Sequence, residues 1–539
     1  MNKHDPVYIT PVEWRWVIVV SSGLALLAFL PFLWVALSGV GSQWQFMGFL
    51  NNYRDGATYL AKMFQGMEGD WLVRFLHSPE SQNGAFLQII YPALGQLAGL
   101  FGISPIAIFH AARVVASLMM YMALYHLGAT IWTKIRTRRV FFILVSVGAG
   151  FGWLLGPLMG DTRFPDLMIP EMFPLYSSVV NVHFPLTLMC LALLASVIVQ
   201  AFRPGMNTAP EIRNGGLTAA LVSLAMVFLY PQGLIPFLAA LAAYIILKWV
   251  HTRRFTKLEP HWALVVLLPS LPMLVYYAII MTDNPIIVEW NRQNVTPALP
   301  PLNMLLGLGL PLLIAIPGLY RALRRFEPDG DQIMLLWLIA IVVLVYLPTN
   351  IQRRFSVGLM IPLAYFGTRA LEDFWFRRIN RPWRYRLAVV VVPFIAMSQI
   401  FALIIPVLPV ISGNVNENTG IFLEQDYRAV FDWLDSTNRG RFVVLASPNV
   451  SLWLPGWTGG QVVYGHPFET MYAAEREETM LAWYSGDLSP EDCAAPLHTD
   501  SYQVNYVLVG PQEQALGTPS CADGLRLLAR FGSVLVYAP

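Results

Sequence analysis

The chain has 539 residues, of which 56% are hydrophobic and only 13% charged, and its mean hydropathy is +0.53. A soluble protein is about 25% charged, so the composition excludes a disordered chain, a nucleic-acid-binding protein and a simple soluble enzyme. The overall charge of +2 predicts no polyanionic partner. This balance conceals two regions in different surroundings, because residues 412–539 carry a net charge of −9 and residues 1–411 carry +11.

Apolar stretches long enough to cross a membrane recur through the first 411 residues. A helix needs about 20 apolar residues to cross a hydrocarbon core of roughly 30 Å, because unpaired backbone amides are not tolerated there. The sequence predicts eleven spans, at 14–37, 105–132, 140–160, 179–201, 217–231, 233–249, 262–282, 303–320, 333–349, 356–375 and 387–411. Around Tyr230 the alternative is one kinked helix. The first span is too long and too poorly flanked for a cleaved signal peptide, so we expect an anchor.

Basic residues between the spans set the predicted orientation, because Lys and Arg favour short cytoplasmic loops. Four basic clusters lie at 134–139, 253–257, 321–325 and 377–386. All four clusters lie on the same side of the membrane only if the apolar stretch 84–101 does not cross it. We therefore interpret residues 84–102 as a re-entrant or in-plane segment. The N-terminus is then cytoplasmic and the C-terminal domain is extracytoplasmic.

The tail, residues 412–539, has the pattern of a small α/β domain. Short apolar runs bounded by Gly or Pro are typical of buried strands, and they lie at 441–446, 461–464, 505–509 and 533–537. Amphipathic stretches at 427–434 and 469–483 predict helices between them. Cys493 and Cys521 both lie in this predicted outward domain, where a disulfide can form if the two residues approach each other.

The first predicted outward loop, 38–83, contains an acid with two interpretations. Asp55 begins an amphipathic stretch whose apolar residues recur at helical spacing through Met67, as in a helix on a membrane surface. An acid at a helix start favours the helix dipole and accepts backbone N–H groups, which is a structural role. A carboxylate desolvated at a membrane surface also suits a general base towards an acceptor hydroxyl.

Further charged residues lie on the same predicted side. The other loop acids are Glu68, Asp70, Glu80, Asp161, Asp166 and Glu171, each of which also suits a solvated loop. Arg353 and Arg354 lie on the predicted outer side of the membrane, so they depart from the rule that basic residues favour cytoplasmic loops. Because guanidinium groups bind phosphate in a planar, bidentate fashion, an anionic ligand explains the pair. Pairing with lipid head groups or with the acidic tail is the alternative.

Together these features resemble the GT-C superfamily of membrane glycosyltransferases, which includes protein O-mannosyltransferases and lipid A aminoarabinose transferases, in a bacterial form with a C-terminal soluble domain. The matching motifs are Asp55-Gly56-Ala57-Thr58-Tyr59, the segment that begins at Tyr91-Pro92, Ala112-Arg113, and Arg353-Arg354-Phe355 followed by Met360-Ile361-Pro362. The resemblance covers roughly residues 14–411. It implies an α-helical polytopic membrane protein, with a GT-C-like bundle of about eleven transmembrane helices at 1–411 and a small extracytoplasmic α/β domain at 412–539.

The resemblance also implies a reaction: transfer of a sugar from a polyprenyl-phosphate-linked donor to an acceptor on the outer face. Asp55 and Glu171 would be the catalytic residues, and Arg353 and Arg354 would bind the donor phosphate. Residues implied to line the cleft are Tyr59, Glu80 and His183. For His183, an interfacial histidine is the alternative.

The partners implied are the lipid-linked sugar and membrane lipid, with no nucleic acid, and protein partners through the C-terminal domain are a further expectation. Some relatives bind a divalent metal near these acids. The sequence has no dedicated ligand cluster, so a metal is left open and none of its residues is assigned as a ligand.

Departures from the family pattern keep a second function open. Many members carry two adjacent acids in the first loop, whereas here Arg54 precedes Asp55 and Gly56 follows it. The alternative is a non-catalytic GT-C-like membrane subunit or a lipid-binding component of a larger complex. A secondary transporter fits poorly, because transporters carry ionisable groups at mid-membrane and two similar halves. The tail also contains the motif His466-Pro467-Phe468-Glu469-Thr470, to which the sequence assigns no role.

Overall fold

The computed structural model describes residues 9–38, 43–202, 214–326, 330–413, 420–438, 440–489 and 491–539, and these are mainly helical. The helices of the first half are α1 (Pro11–Ser38), α2 (Tyr53–Met67), α3 (Ile90–Phe101), α4 (Pro105–Ile131), α5 (Ile135–Val147), α6 (Gly152–Met159), α7 (Pro165–Met168), α8 (Pro174–Val180), α9 (His183–Phe202), α10 (Gly215–Leu229), α11 (Pro231–Thr252) and α12 (Leu258–Asp283). Those of the second half are α13 (Pro285–Gln293), α14 (Pro301–Arg325), α15 (Asp331–Val345), α16 (Met360–Ala370), α17 (Phe376–Arg378), α18 (Arg381–Ile404), α19 (Leu408–Ile411), α20 (Gln425–Thr437), α21 (Pro448–Thr458), α22 (Ala473–Ser485) and α23 (Pro511–Gln514). The strands are β1 (Trp44–Phe46), β2 (Phe422–Glu424), β3 (Val443–Leu445), β4 (Gln461–Val462), β5 (Tyr506–Val509), β6 (Arg526–Phe531) and β7 (Val534–Ala538).

The chain divides into two compact units, each built from three stretches of sequence. The first unit consists of Met1–Phe29, Ala112–Tyr277 and Thr296–Ile405. The second consists of Leu30–Ala111, Ala278–Val295 and Pro406–Pro539. The predicted C-terminal domain, residues 412–539, therefore belongs to the same compact unit as most of the first predicted outward loop, residues 38–83.

Long apolar helices recur through the first 411 residues. Eight helical stretches among the described residues are long and apolar enough to cross a membrane, namely Pro11–Ser38, Pro105–Ile131, Ile135–Met159, His183–Phe202, Pro231–Thr252, Leu258–Asp283, Pro301–Arg325 and Arg381–Ile411. The three other predicted spans correspond to α10, α15 and α16, which have 15, 15 and 11 residues. The predicted class, a polytopic helical membrane protein with a small C-terminal sheet, is confirmed.

Tyr230 separates two helices where the sequence left a choice between two spans and one kinked helix. Its backbone, at φ −161° and ψ 79°, is far from helical, and it ends α10. Pro231 is the first residue of α11, a position at which proline is favoured because the first N–H groups of a helix have no intrahelical partner. The helix break brings the Tyr230 hydroxyl to the loop that carries Glu171.

The core of the first unit contains α16, which packs against α5, α14 and α15. All its residues except Arg369 are buried. Glycines allow close approach, because a β-carbon at Gly318 of α14 would collide with the carbonyl oxygen of Phe366. A helix buried on all sides is surrounded by protein, so the loop that precedes α16, which carries Arg353 and Arg354, is attached to a fixed element.

The second unit contains both sheets. β1 and β2 pair antiparallel, with Trp44 opposite Glu424. The other sheet has the strand order β4-β3-β5-β7-β6, in which β3 is parallel to β4 and β5, and β7 is antiparallel to β5 and β6. The predicted strands correspond to β3, β4, β5 and β7, and the predicted helices to α20 and α22.

Helix α2, which carries Asp55, is packed against α3 and α21 of the same unit. A β-carbon at Gly66 would collide with the carbonyl oxygen of Pro92, and one at Gly95 with that of Met63, so the backbones of α2 and α3 are in contact. The twelve residues of α3 extend over about 18 Å, at 1.5 Å per residue, which is shorter than the hydrocarbon core.

Candidate functional site

Asp55 lies in the first turn of α2, and its side chain is 39% exposed. The N-cap residue is Asn52, whose side-chain Nδ2 donates a hydrogen bond to Oδ2 of Asp55 at 2.8 Å. The backbone at Asn52 has φ 51°, in the left-handed region that Asn tolerates better than most residues. The carboxylate is thus held at a helix N-terminus, where the dipole favours its charge, and it remains accessible.

His466 faces Asp55 from the loop that follows β4, a position that sequence analysis did not assign to the site. Its Nε2 atom is 3.7 Å from Oδ1 of Asp55. Nδ1 accepts hydrogen bonds from the backbone N–H groups of Phe468 and Glu469, at 3.1 and 3.2 Å. A nitrogen that accepts carries no proton, so the proton of the His466 ring is on Nε2, the nitrogen that lies nearer to the carboxylate.

A buried ion pair lies behind this histidine. Lys62 of α2 and Glu469 are 1% and 7% exposed, and Nζ is 2.5 Å from Oε1. Lys62 also donates to Oγ1 of Thr58 at 3.2 Å, one turn along α2. Burial raises the pKa of Glu469, but the nearby Lys62 ammonium and the side chain of His77 outweigh that effect and hold this pKa below its usual value.

Two predicted cleft residues lie in the same unit with partners of their own. The ring of Tyr59 stacks on that of Tyr91, with centroids 4.0 Å apart and planes 8° apart, and both rings are buried. Glu80 forms an ion pair with Arg476 and accepts a hydrogen bond from Ser78 at 2.5 Å. It also borders a cavity of about 710 Å³.

Glu171, Arg353 and Arg354 are brought together in the first unit. Glu171 is buried, in a short 3-10 helix at Pro170–Met172, and its Oε1 accepts a hydrogen bond from the Tyr230 hydroxyl at 3.4 Å. Burial raises the pKa of Glu171, while the two guanidinium groups act in the opposite direction. The four side chains therefore form one electrostatic cluster.

The two arginines lie in a second 3-10 helix, Gln352–Ser356, and are half-buried. The backbone N–H of Arg353 donates to the carbonyl of Thr296 at 3.0 Å, and the Ser356 hydroxyl donates to the Arg353 carbonyl at 2.6 Å. Nε of Arg353 is buried without a hydrogen-bond partner among the residues that the structure describes. A buried donor without a partner is costly, and an anionic ligand would satisfy it.

His183 begins α9 and is buried. Its ring lies 6.0 Å from that of Tyr230, with planes 23° apart. Through Tyr230 it contacts the Glu171 cluster. Of the predicted site residues, the structure therefore assigns Glu171, His183, Arg353 and Arg354 to the first unit and Asp55, Tyr59 and Glu80 to the second.

The remaining loop acids of the first unit have local partners. Asp161 pairs with Arg163 at 2.9 Å, and side-chain and backbone hydrogen bonds from Arg163 lower the pKa of Asp161 to about 2. Asp166 is fully buried, and its Oδ2 accepts from the Gly152 N–H at 2.9 Å and from the Ser398 hydroxyl at 2.5 Å. These contacts give both acids a structural explanation.

A metal site does not emerge from these residues. Within the described ranges, no three His, Cys, Asp or Glu side chains lie close enough together to hold a metal ion.

The sequence matches no protein-family model and no curated protein. Solved structures are similar over nearly the whole chain. ArnT from Cupriavidus metallidurans bound to undecaprenyl phosphate, an aminoarabinose transferase, is 13% identical, with 98% of this chain and 98% of that chain covered and a TM-score of 0.56. The Archaeoglobus fulgidus oligosaccharyltransferase in its apo form is 12% identical, with 98% and 75% covered and a TM-score of 0.52. The arabinofuranosyltransferase AftD from Mycobacteria is 14% identical, with 100% and 40% covered and a TM-score of 0.51. At these identities the likeness is one of fold.

Proposed function

Since this chain has the fold of the GT-C membrane glycosyltransferases, we propose that it transfers a sugar from a polyprenyl-phosphate-linked donor to an acceptor at the outer face of the membrane. The observation that carries the proposal is the pair Arg353 and Arg354 beside buried Glu171, with a buried Nε on Arg353 that lacks a partner within the described ranges. Guanidinium groups bind phosphate strongly. ArnT is bound to undecaprenyl phosphate, which supports a lipid phosphate as the anion.

Transfer from a lipid phosphate needs a deprotonated acceptor oxygen and a neutralised leaving group. The acceptor oxygen bonds to the anomeric carbon, the bond from that carbon to the phosphate oxygen breaks, and the electron pair leaves with the phosphate. In our proposal Asp55 takes the proton of the acceptor hydroxyl. Arg353 and Arg354 stabilise the charge that grows on the leaving phosphate, and Glu171 orients the two arginines.

The proposal includes the orientation of the chain and the cleft. Basic clusters at 134–139, 253–257, 321–325 and 377–386 favour a cytoplasmic N-terminus, and residues 412–539 then lie outside. Tyr59, Glu80 and His183 are proposed to line the cleft.

The first experiment is an assay of the purified chain with a panel of undecaprenyl-phosphate-linked sugars, with release of undecaprenyl phosphate as the readout. Loss of a general base costs about 10²- to 10⁴-fold in rate, so Asp55→Asn should reduce release by that factor with little change in melting temperature. The matched control is Glu68→Gln, an exposed acid after the same helix, which should retain full activity. Retention of activity by Asp55→Asn would show that the base assignment is wrong.

A second experiment tests the phosphate site with undecaprenyl phosphate alone. Undecaprenyl phosphate should raise the melting temperature of the wild-type chain, and Arg353→Ala should reduce this shift. Arg530→Ala, at an exposed position of β6, is the control. Binding without turnover of any sugar in the panel would favour the non-catalytic, lipid-binding alternative.

A further inference from the structure

The tail contributes a fixed hydrogen-bond donor beside Asp55. His466 is only 2% exposed, and its Nε2 lies 3.7 Å from Oδ1 of Asp55. The other carboxylate oxygen, Oδ2, accepts from Asn52. Two donors from different parts of the second unit therefore face the two oxygens of one carboxylate.

The orientation of the His466 ring is set by its own turn. The side-chain oxygen of Thr470 accepts from the backbone N–H groups of Gly465 and His466, at 3.2 and 3.1 Å, and donates to the carbonyl of His77 at 2.6 Å. Since Nδ1 of His466 accepts from the N–H groups of half-buried Phe468 and buried Glu469, rotation of the ring would leave both donors without their acceptor, which is costly for the buried one.

Charged groups around His466 leave Asp55 as the acceptor for Nε2. His77 lies with its ring centroid 5.9 Å away. Glu469 interacts electrostatically with His466, but its charge is opposed by Lys62 at 2.5 Å. A neutral imidazole with its proton on Nε2 can therefore donate to Asp55 while the charges behind it compensate each other.

We propose that His466 is a positioning residue that holds Asp55, through Nε2–H and Oδ1, in the orientation that a general base requires. The inference rests on the proposed function, because it gives the motif His466-Pro467-Phe468-Glu469-Thr470 a task at Asp55. The separation of 3.7 Å is longer than a hydrogen bond. Catalytic hydrogen bonds are often long without substrate and shorten when it binds. The C-terminal segment is then part of the catalytic machinery.

Two substitutions separate the two nitrogens of His466. The side-chain oxygen of Asn occupies the place of Nδ1, so His466→Asn keeps the acceptor for the turn and removes the donor to Asp55. The side-chain nitrogen of Gln occupies the place of Nε2, so His466→Gln keeps the donor and removes the acceptor. His498→Asn, at an exposed position of the same unit, is the matched control.

Steady-state kinetics with the undecaprenyl-phosphate-linked sugar turned over by the wild type test the catalytic consequence. A misplaced catalytic group costs up to about 10²-fold, so His466→Asn should lower kcat by about 10- to 100-fold with KM unchanged and only the small fall in melting temperature that loss of its contact with Asp55 produces. His466→Gln should retain kcat within about threefold while its melting temperature falls. Unchanged kcat in His466→Asn would overturn the inference.

A double-mutant cycle on melting temperature separates this inference from the proposed function. Asp55→Asn, His466→Asn and the double variant should give non-additive shifts, because residues in contact are coupled. Additive shifts would overturn the contact, whatever the activities are. If Asp55→Asn stays active while the shifts are non-additive, the contact exists but Asp55 is not the catalytic base. His466 would then make only a structural contact, and its positioning role in catalysis would be rejected as well.

Discussion

Nζ of Lys62 lies 2.5 Å from Oε1 of Glu469, and both side chains are almost entirely buried. The pair joins α2 to the turn after β4, across 407 positions of sequence. Desolvating two charges is expensive, and their attraction repays it only when both partners are present. The ion pair therefore makes the position of α2, and with it of Asp55, dependent on the tail.

Lys62→Met should destabilise the second unit strongly. Removal of one partner from a buried pair leaves an uncompensated charge and costs about 3–5 kcal/mol, measured as a fall in the midpoint of denaturant unfolding of the chain in detergent. Arg74→Met removes one partner of the Arg74–Asp70 pair, in which both side chains are 46% exposed. That control should cost less than about 1 kcal/mol. Equal effects of the two substitutions would contradict the buried pair.

The sequence indicated the parts of this fold that depend on local composition. Apolar runs place the long helices, and the alternating tail places β3, β4, β5 and β7. Helix α21 was missed, because Pro455 lies inside it and argues against a helix. Strand β6 was missed because its side chains are mostly exposed and give no apolar run.

The candidate site was only partly accessible from the sequence for a different reason. Asp55, Glu171, Arg353 and Arg354 stand out as charged residues in the predicted outward loops between apolar stretches. His466 does not, because its contact with Asp55 joins residues far apart in the chain, and a lone histidine before a proline carries no local pattern. The sequence shows which residue types are available. Packing of α2 against α21 is what brings the helix of Asp55 close to the segment that carries His466.

Gly95→Ala should destabilise the α2–α3 pair. A β-carbon at Gly95 collides with the carbonyl oxygen of Met63, and overpacking costs about 1–3 kcal/mol. This exceeds the gain of about 0.5–1 kcal/mol expected for Gly→Ala inside a helix, so the melting temperature should fall. Gly23→Ala in α1 has open space around the added carbon and should leave the melting temperature equal or higher. A rise in Gly95→Ala would contradict the close contact of the two backbones.

Reduction should destabilise the tail, because Cys493 and Cys521 form a disulfide with their Cα atoms 5.4 Å apart. The sequence left this pairing open. On the chain-entropy model a bridge across 28 positions contributes roughly 3–4 kcal/mol. Dithiothreitol should therefore lower the melting temperature of the wild type to that of the Cys493→Ser, Cys521→Ser double variant. Cys190→Ala, which removes a buried free thiol, should lose melting temperature in dithiothreitol as the wild type does. If dithiothreitol also lowers the melting temperature of the double variant, loss of the Cys493–Cys521 bridge does not explain the effect of the reductant.

Asp166 should make stability depend on pH in the direction opposite to an ordinary ion-paired acid. Burial raises the pKa of this carboxyl from 3.8 to about 6, although hydrogen bonds from Ser398 and Gly152 oppose the effect. Between these values the folded chain keeps a proton that the unfolded chain has lost. Stability from this group is therefore complete below pH 3.8 and is lost as the pH rises through about 6.

The measurement is the difference in unfolding free energy between the wild type and Asp166→Asn as a function of pH. Asn does not titrate, so the altered hydrogen bonds of Asp166→Asn shift the free-energy difference by the same amount at every pH. Only the slope of this difference against pH therefore reports the titration of Asp166. A shift of about two pKa units corresponds to about 3 kcal/mol, so the wild type should lose most of this amount relative to the variant between pH 4 and pH 7. Asp161→Asn is the control, because the pKa of Asp161 is lowered to about 2 and its difference should be flat over that interval. A flat difference for Asp166→Asn as well would show that Asp166 is ionised in the folded chain throughout.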